Sequence, residues 1–483
     1  MLSALGRIRG WVDSGERAAS AAVREPDPPH LAAPLAAVAI GLGHALQLAN
    51  GTLHPIGIAV LVASSCVLAV GLAARHAGPL DRYGETAALV VAAGGLVYQV
   101  AALLTTSPGV YLRASQEDYV SYRYLVAAAA VVVGVGLAAD GMARKLAVPA
   151  LLATHFALGM WVLDASPNPP IDVFVWHREA FHALVAGANP YAIQIPNLYG
   201  HTEFYGPGLA DAATVKVGFP YPPLSLALAA PGHLVGDYRW ANLAALTAAG
   251  GLMAFMRRGR LSFAAAAIFL LTPRQFFVLE QGWTEALVCF CLALVVFVAC
   301  RAPRGLSVAL GLLLAVKQYA ILLMPLALLL RRRPFSFEGL ARFFVPAAAL
   351  AAASVLPFLL WDPDAFFRSV VQFQALQPFR PDALSLMAYF AVDGKPVLPA
   401  WLSFAVMPLA WGLALWRAPR TPAGFAASVA LLLLLFFGFA KQAFCNYYLL
   451  VVSAACCALA AVERTRMADS GGLSSSARGP TSP

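Results

Sequence analysis

Apolar runs of about twenty residues, the length a helix needs to cross a bilayer, recur from residue 31 to residue 462. Short polar loops carrying Lys and Arg divide them. In hydrocarbon every backbone N–H and C=O has to be satisfied internally, so such a chain is confined to a bundle of α-helices embedded in lipid. Composition agrees: 60% of residues are hydrophobic and 12% charged, about half the charge of a soluble chain. That is too little to cover several globular surfaces. The net charge of +9 does not point to nucleic acid, because the basic residues form short clusters between apolar runs rather than a basic face with interleaved aromatics. All seven cysteines fall inside or at the edge of apolar runs and read as small core residues, with no disulfide framework implied.

Hydropathy places spans near 31–49, 54–74, 86–106, 124–140 and 146–163. Six follow near 238–256, 261–277, 283–300, 304–316, 319–331 and 339–360, and three more near 397–416, 423–439 and 444–462, fourteen in all. Leu5, Ile8, Trp11 and Val12 form one face of an interfacial helix in the segment 1–30, and residues 463–483 read as a disordered Ser/Gly/Pro tail. With both termini cytoplasmic, basic residues outnumber acidic ones about two to one on the cytoplasmic side, and the balance reverses outside. The loop 164–237 is then a large outer loop. Within it Pro222 to Val235 is too short to cross and reads as an interfacial helix. The loop 107–123 is also outer, although it carries Arg113 and Arg123.

Chemistry is expected at the outer ends of the spans. After Pro169-Pro170 the pattern from Asp172 to Leu184 is helical, with Phe174, Phe181, Leu184 and Val185 on one stripe and Asp172, Trp176 and Glu179 on the adjoining face. A carboxylate at the water boundary can accept a hydroxyl proton; equally, Asp172 can be an N-cap, for which Asp is well suited. Lys317 interrupts an apolar stretch with basic clusters at both ends, which two short helices meeting at Lys317 would keep in the cytoplasm. A lysine there faces a cavity or an anion, or snorkels to the headgroups. Arg274, Glu280, Gln281 and Glu285 mark one further outer turn, and Lys441, Asn446 and Tyr447 another. Cations beside carboxylates suit a phosphate leaving group and an acceptor hydroxyl; each turn alone can also be a solvated connection. No metal or phosphate fingerprint is present. Asp362 and Asp364 could hold a divalent cation, but more simply cap and stop a helix.

Asp172 in the first large outer loop, Asn189-Pro190-Tyr191, Gly218-Phe219-Pro220-Tyr221, Gln281-Gly282 opening a span and Lys317 before Arg331 to Arg333 together resemble the GT-C superfamily of membrane glycosyltransferases. The likeness is strongest to glycosyltransferase family 87, the polyprenyl-phosphate-mannose-dependent mannosyltransferases. It runs from about Asp172 to Tyr448 and leaves 31–140 as an extra four-span unit ahead of a catalytic membrane domain at 141–462. Trp283-Thr284-Glu285 follows Gln281-Gly282 where the family often has Gln and then Asn, and Asn446-Tyr447 stands where His-Tyr is common. The resemblance implies an all-α GT-C-like bundle in a bacterial-type inner membrane. It also implies a polyprenyl-phosphate sugar donor, a glycan or glycolipid acceptor, and inverting transfer on the outer face with Asp172 as general base. Lys317, Arg274 and Lys441 would meet the donor phosphate, and Trp176, Glu179, Tyr191, Tyr221, Gln281, Glu285, Asn446 and Tyr447 the substrates. A flippase for lipid-linked saccharides, or a ligase or polymerase using pyrophosphate carriers, would want a similar outer cavity, the flippase with charges spread through the membrane depth.

Overall fold

A computed structural model describes residues 29–74, 81, 83–331, 333–391 and 397–462; the expected amino-terminal interfacial helix and carboxyl-terminal tail lie outside them. The chain is an all-α membrane protein. Five long helices open it: α1 (Ala32–Leu48), α2 (Pro55–Ala73), α3 (Gly84–Thr105), α4 (Gln116–Ala138) and α5 (Gly141–Ala165). A loop region follows with α6 (Asp172–Val185), an antiparallel pair of two-residue strands, β1 (Ile195–Pro196) and β2 (Thr214–Val215), and α7 (Pro223–Leu234). Then come α8 (Arg239–Phe255), α9 (Arg260–Leu270), α10 (Pro273–Gln281), α11 (Glu285–Arg301) and α12 (Leu306–Val316). A 3₁₀ helix, Gln318–Leu330, leads to α13 (Phe337–Trp361), and the chain closes with α14 (Met407–Arg417), α15 (Pro422–Gly438) and α16 (Cys445–Ala461).

Among the described residues six helices are long and apolar enough to cross a membrane, or seven if α9 and α10, bent by 51°, count as one. The other seven expected spans fall on helices of 17 residues or fewer. At 1.5 Å per residue these reach about 26 Å at most. The expected interfacial piece after Pro222 is the twelve-residue α7.

Sequence explains the breaks. Pro273 has no N–H to offer the Phe269 carbonyl, and it pushes Thr272 out of the helical region, to φ −59 and ψ 115. The carbonyls at the break find other donors: Phe269 O accepts the Thr272 N–H at 3.2 Å and the Gln275 side chain at 3.1 Å, while Ile268 O receives the Thr272 hydroxyl at 2.8 Å and Gln99 at 3.2 Å. Gln275 Oε1 in turn meets His155 Nε2 at 2.6 Å, and His155 Nδ1 meets Thr247 at 2.9 Å. Side chains thereby help make a proline break tolerable in the buried interior of the bundle. Ends are capped as the sequence invites, by the Ser115/Asp118 capping box on α4 and by Thr421 before Pro422 on α15.

At the centre stand α9 and α16. From Leu261 to Leu270 every residue of α9 is buried, and α16 is buried throughout except at Tyr447. Such helices are apolar all round because they touch protein on every side. The run Ser453 to Ala458 contains only Ser, Ala and Cys, and small residues let helix backbones approach closely where lipid removes the hydrophobic drive. The first four helices do not stand apart: α1 packs on α16, α3 on α9 and α2 on α15, within one continuous core. Five cysteines lie in the interior; Cys300 is partly buried and Cys66 exposed.

Candidate active site

The loops at one end of the bundle enclose a cavity of about 1150 Å³. Asp172 and Lys317 both line it. Loop 107–115, the turn at Asn50 and Thr52, the α6–α7 region and the turn before α16 all meet there. Loop 107–123 thus lies at the same end as loop 164–237.

Asp172 is the first residue of α6. The cap position itself is Ile171, and the Asp172 carboxylate accepts the Val173 N–H at 2.7 Å. It therefore satisfies one helix-end donor and still faces the cavity. Burial pushes its carboxyl up to about 6, opposed by the Val173 N–H, the Tyr205 hydroxyl and the charge of Arg380. The helix is buried more deeply than a surface helix lying on lipid would be. Trp176, expected on its polar face, is 2% exposed and donates to Val217 O at 3.0 Å, while Val185, expected on the apolar stripe, is 72% exposed. Packing against the 191–221 segment and α7 inverts these two expectations.

Lys317 sits at the break between α12 and the 3₁₀ helix, its backbone extended at φ −151 and ψ 142. The ammonium contacts Thr284 Oγ1 at 2.5 Å and Glu285 Oε1 at 3.0 Å, and lies 4.0 Å from the Tyr221 ring centroid. Glu285 is fully buried and also accepts the Tyr319 hydroxyl at 3.1 Å, while its Oε2 has no partner. It holds Lys317 from behind rather than lining the cavity.

The two proline motifs of the large loop build the support for Tyr221. Asn189 Oδ1 accepts the Tyr191 N–H at 2.9 Å, Phe219 N donates to Pro190 O at 3.0 Å, and the Tyr191 hydroxyl donates to Tyr221 O at 3.0 Å. Any Cβ on Gly218 would come within 2.1 Å of Tyr191 O. Gln318 then ties Pro220 O to the lysine turn at 2.6 Å.

Of the residues expected from sequence, Asp172, Trp176, Tyr221, Gln281, Lys317, Lys441, Asn446 and Tyr447 line the cavity. Glu179, Tyr191, Arg274 and Glu285 do not. Glu179 pairs with Arg178 at the surface, and Tyr191 is a buried strut. Arg274, 7% exposed, points away toward Ser107 O at 3.3 Å, so it is not placed to meet a ligand in the cavity. Lys441 donates to Ala375 O at 2.8 Å.

Arg380 is a cavity residue that the sequence reading passed over. Asp382 holds it through two bonds of 2.9 and 2.8 Å, and its guanidinium lies about 5 Å from both the Phe204 and Phe444 rings. A basic residue in a loop expected outside, against the positive-inside bias, was the available signal. Among the described residues no three His, Cys, Asp or Glu side chains come together as a metal site, and Asp362 caps a short helix through Ala365 N at 2.9 Å.

The cavity also changes character along its length. Ile321 and Leu322 line both it and an adjoining groove of about 350 Å³, whose wall is completed by Met324, Pro325, Leu328, Phe344 and Trp411. One end thus presents a carboxylate and cations, the other hydrocarbon. No family model matches this chain, and no curated protein or solved structure is significantly similar to it.

Proposed function

We propose that this chain is a membrane glycosyltransferase that moves a hexose or pentose from a polyprenyl-phosphate carrier to a glycan or glycolipid. In this reading it has the GT-C architecture, fourteen crossings with several short spans, and the cavity on the extracytoplasmic face of a bacterial-type inner membrane. The observation that carries it is the union of Asp172, Lys317 and Arg380 in one cavity, beside an apolar groove along the 3₁₀ helix that shares Ile321 and Leu322 with the cavity wall. A lipid-linked phosphate sugar has those same two ends. The cations gather at one end of the bundle, which favours bond chemistry over carriage through the full depth.

In the step proposed, the acceptor hydroxyl oxygen attacks the anomeric carbon from the face opposite the phosphate. The new C–O bond forms as the bond from carbon to phosphate oxygen breaks, and configuration inverts. The hydroxyl proton passes to Asp172. A carboxyl at about 6 is ionised at neutral pH yet a stronger base than an ordinary aspartate. The departing polyprenyl phosphate goes from one negative charge toward two, which Lys317, Arg380 and Lys441 are placed to offset.

Purified protein in nanodiscs, given labelled polyprenyl-phosphate sugars, polyprenyl-pyrophosphate sugars and a glycolipid acceptor, tests the reading. Product from the monophosphate donor alone is expected. Transfer from the pyrophosphate donor, or lipid translocation with no new glycosidic bond, would replace it by one of the other two readings.

A further inference from the structure

The four amino-terminal helices, which the resemblance leaves out, reach into the cavity at two places. Asn50 and Thr52 from the α1–α2 turn line it, as do Val110 and Tyr111 from the α3–α4 loop. Neither segment is loosely laid. Thr52 pairs with Ala383, and Leu53 N donates to Asp382 O at 2.9 Å, so the first turn grips the segment that orients Arg380. The second segment is held by Glu280, wholly buried at the end of α10. Its two carboxylate oxygens accept the N–H groups of Val110 at 2.7 Å and Tyr111 at 2.8 Å. Hydrogen bonds to a buried charge are among the strongest a loop can have.

The clamp has little slack. A Cβ on Gly109 would meet the Glu280 carboxylate at 2.5 Å. Ser107 O is tied to Arg274 at 3.3 Å and Arg113 N to Ala165 O at 2.7 Å. Between these fixed points Tyr111 stays 37% exposed, on the cavity wall. Its hydroxyl is raised above the ordinary range by burial and by the charges of Glu280 and Asp172, which puts it in the field of the carboxylate.

Resting on the glycosyl-transfer reading, we propose that loop 107–115 is the acceptor-side wall of the cavity, with Tyr111 the surface on which the acceptor sugar packs and Glu280 the positioning residue that fixes it. The apolar groove leaves the cavity along the 3₁₀ helix, on elements other than this loop. The donor's lipid and the Tyr111 wall therefore belong to different elements, with Asp172 serving both. A sugar ring offers a face of C–H groups to the electron-rich face of an aromatic ring, and Asn50 and Thr52 supply polar partners for hydroxyls. The amino-terminal unit would then select the acceptor.

The test uses the full chain in nanodiscs and has a donor-free arm. Octyl glycosides of several hexoses are titrated while intrinsic tryptophan fluorescence, to which Trp176, Trp283 and Trp401 contribute from the cavity wall, is followed. Saturable binding by the parent chain, weakened about tenfold in Tyr111→Ala, is expected for loss of a stacking surface. Glu280→Gln, which turns an amide toward one of the two N–H groups, and Gly109→Ala, which crowds the clamp without changing charge, should weaken it similarly. In the transfer arm the same variants should raise acceptor KM about tenfold and leave donor KM within about twofold. Equal binding by all four proteins, no binding by the parent chain, or a donor KM that rises with the acceptor KM would each overturn the proposal. Glycoside binding that depends on Tyr111, in a chain that transfers no sugar, would leave the wall standing and remove the transferase reading instead.

Discussion

Lys317 and Glu285 form an ion pair withdrawn from solvent, 3.0 Å from Nζ to Oε1, with side chains 7% and 0% exposed. Two charges so placed depend on each other more than on water. Removing one partner leaves the other unpaired at a cost of about 3–5 kcal/mol, whereas removing both is far cheaper. Glu285→Gln and Lys317→Met should each lower the denaturation midpoint strongly, and the double variant should recover much of the loss. A double variant as unstable as the sum of the singles would mean that the pair is not coupled.

Asp172 ties stability to pH. Its carboxyl is raised in the fold, from 3.8 to about 6, so the stability it contributes is fully present below about 3.8 and is lost as pH rises through 6. Asp172→Asn should therefore be more stable than the parent chain at pH 7.5, by on the order of 2 kcal/mol after screening, and no more stable at pH 4. Thermal unfolding across that window checks this; an offset independent of pH would contradict it.

The groove makes a steric prediction. Ile321→Trp or Leu322→Trp, placed where cavity and groove meet, should raise KM for long-chain donors about tenfold and spare short-chain analogues. Equal effects on both chain lengths would show that the groove does not hold the lipid.

Gln275 should matter more than a polar residue in lipid usually does. It bonds Phe269 O at the α9–α10 break and His155 Nε2; Phe269 O keeps the Thr272 N–H at 3.2 Å, so Gln275→Leu leaves the buried His155 Nε2 wanting, at about 1–3 kcal/mol. A variant as stable as the parent chain in a denaturation series would refute that role for the side chain.

Much of this arrangement was legible in the sequence. Pro-Pro before Asp172 marks the start of α6, and Lys317 inside an apolar stretch marks the break that turns it into the cavity. Helix existence follows from hydropathy, because lipid leaves the backbone no alternative. Span lengths follow less well: Pro273 bends the stretch expected as one span, 261–277, into α9 and α10. What stayed hidden was long-range pairing. Arg274 and Glu280 lie six residues apart on one turn and look equivalent, yet one points to Ser107 and the other grips Val110 and Tyr111, about 170 positions away. Asp382, which holds Arg380, is only two residues away, but the Phe204 and Phe444 rings beside it are distant in sequence, and Glu285 looked like a ligand-binding carboxylate because its lysine was thirty-two residues distant.

The most direct test of the account is single-turnover transfer by Asp172→Asn with a labelled polyprenyl-phosphate sugar, beside a donor-binding measurement on the same folded preparation. Loss of a general base costs about 10²–10⁴ in rate, so transfer should fall by at least that much while donor affinity stays within about threefold. The parent chain's acid limb, expected near pH 6, should vanish from any residual activity. Transfer by Asp172→Asn at the parent rate, with the acid limb unmoved, would contradict the assignment of Asp172 as the base.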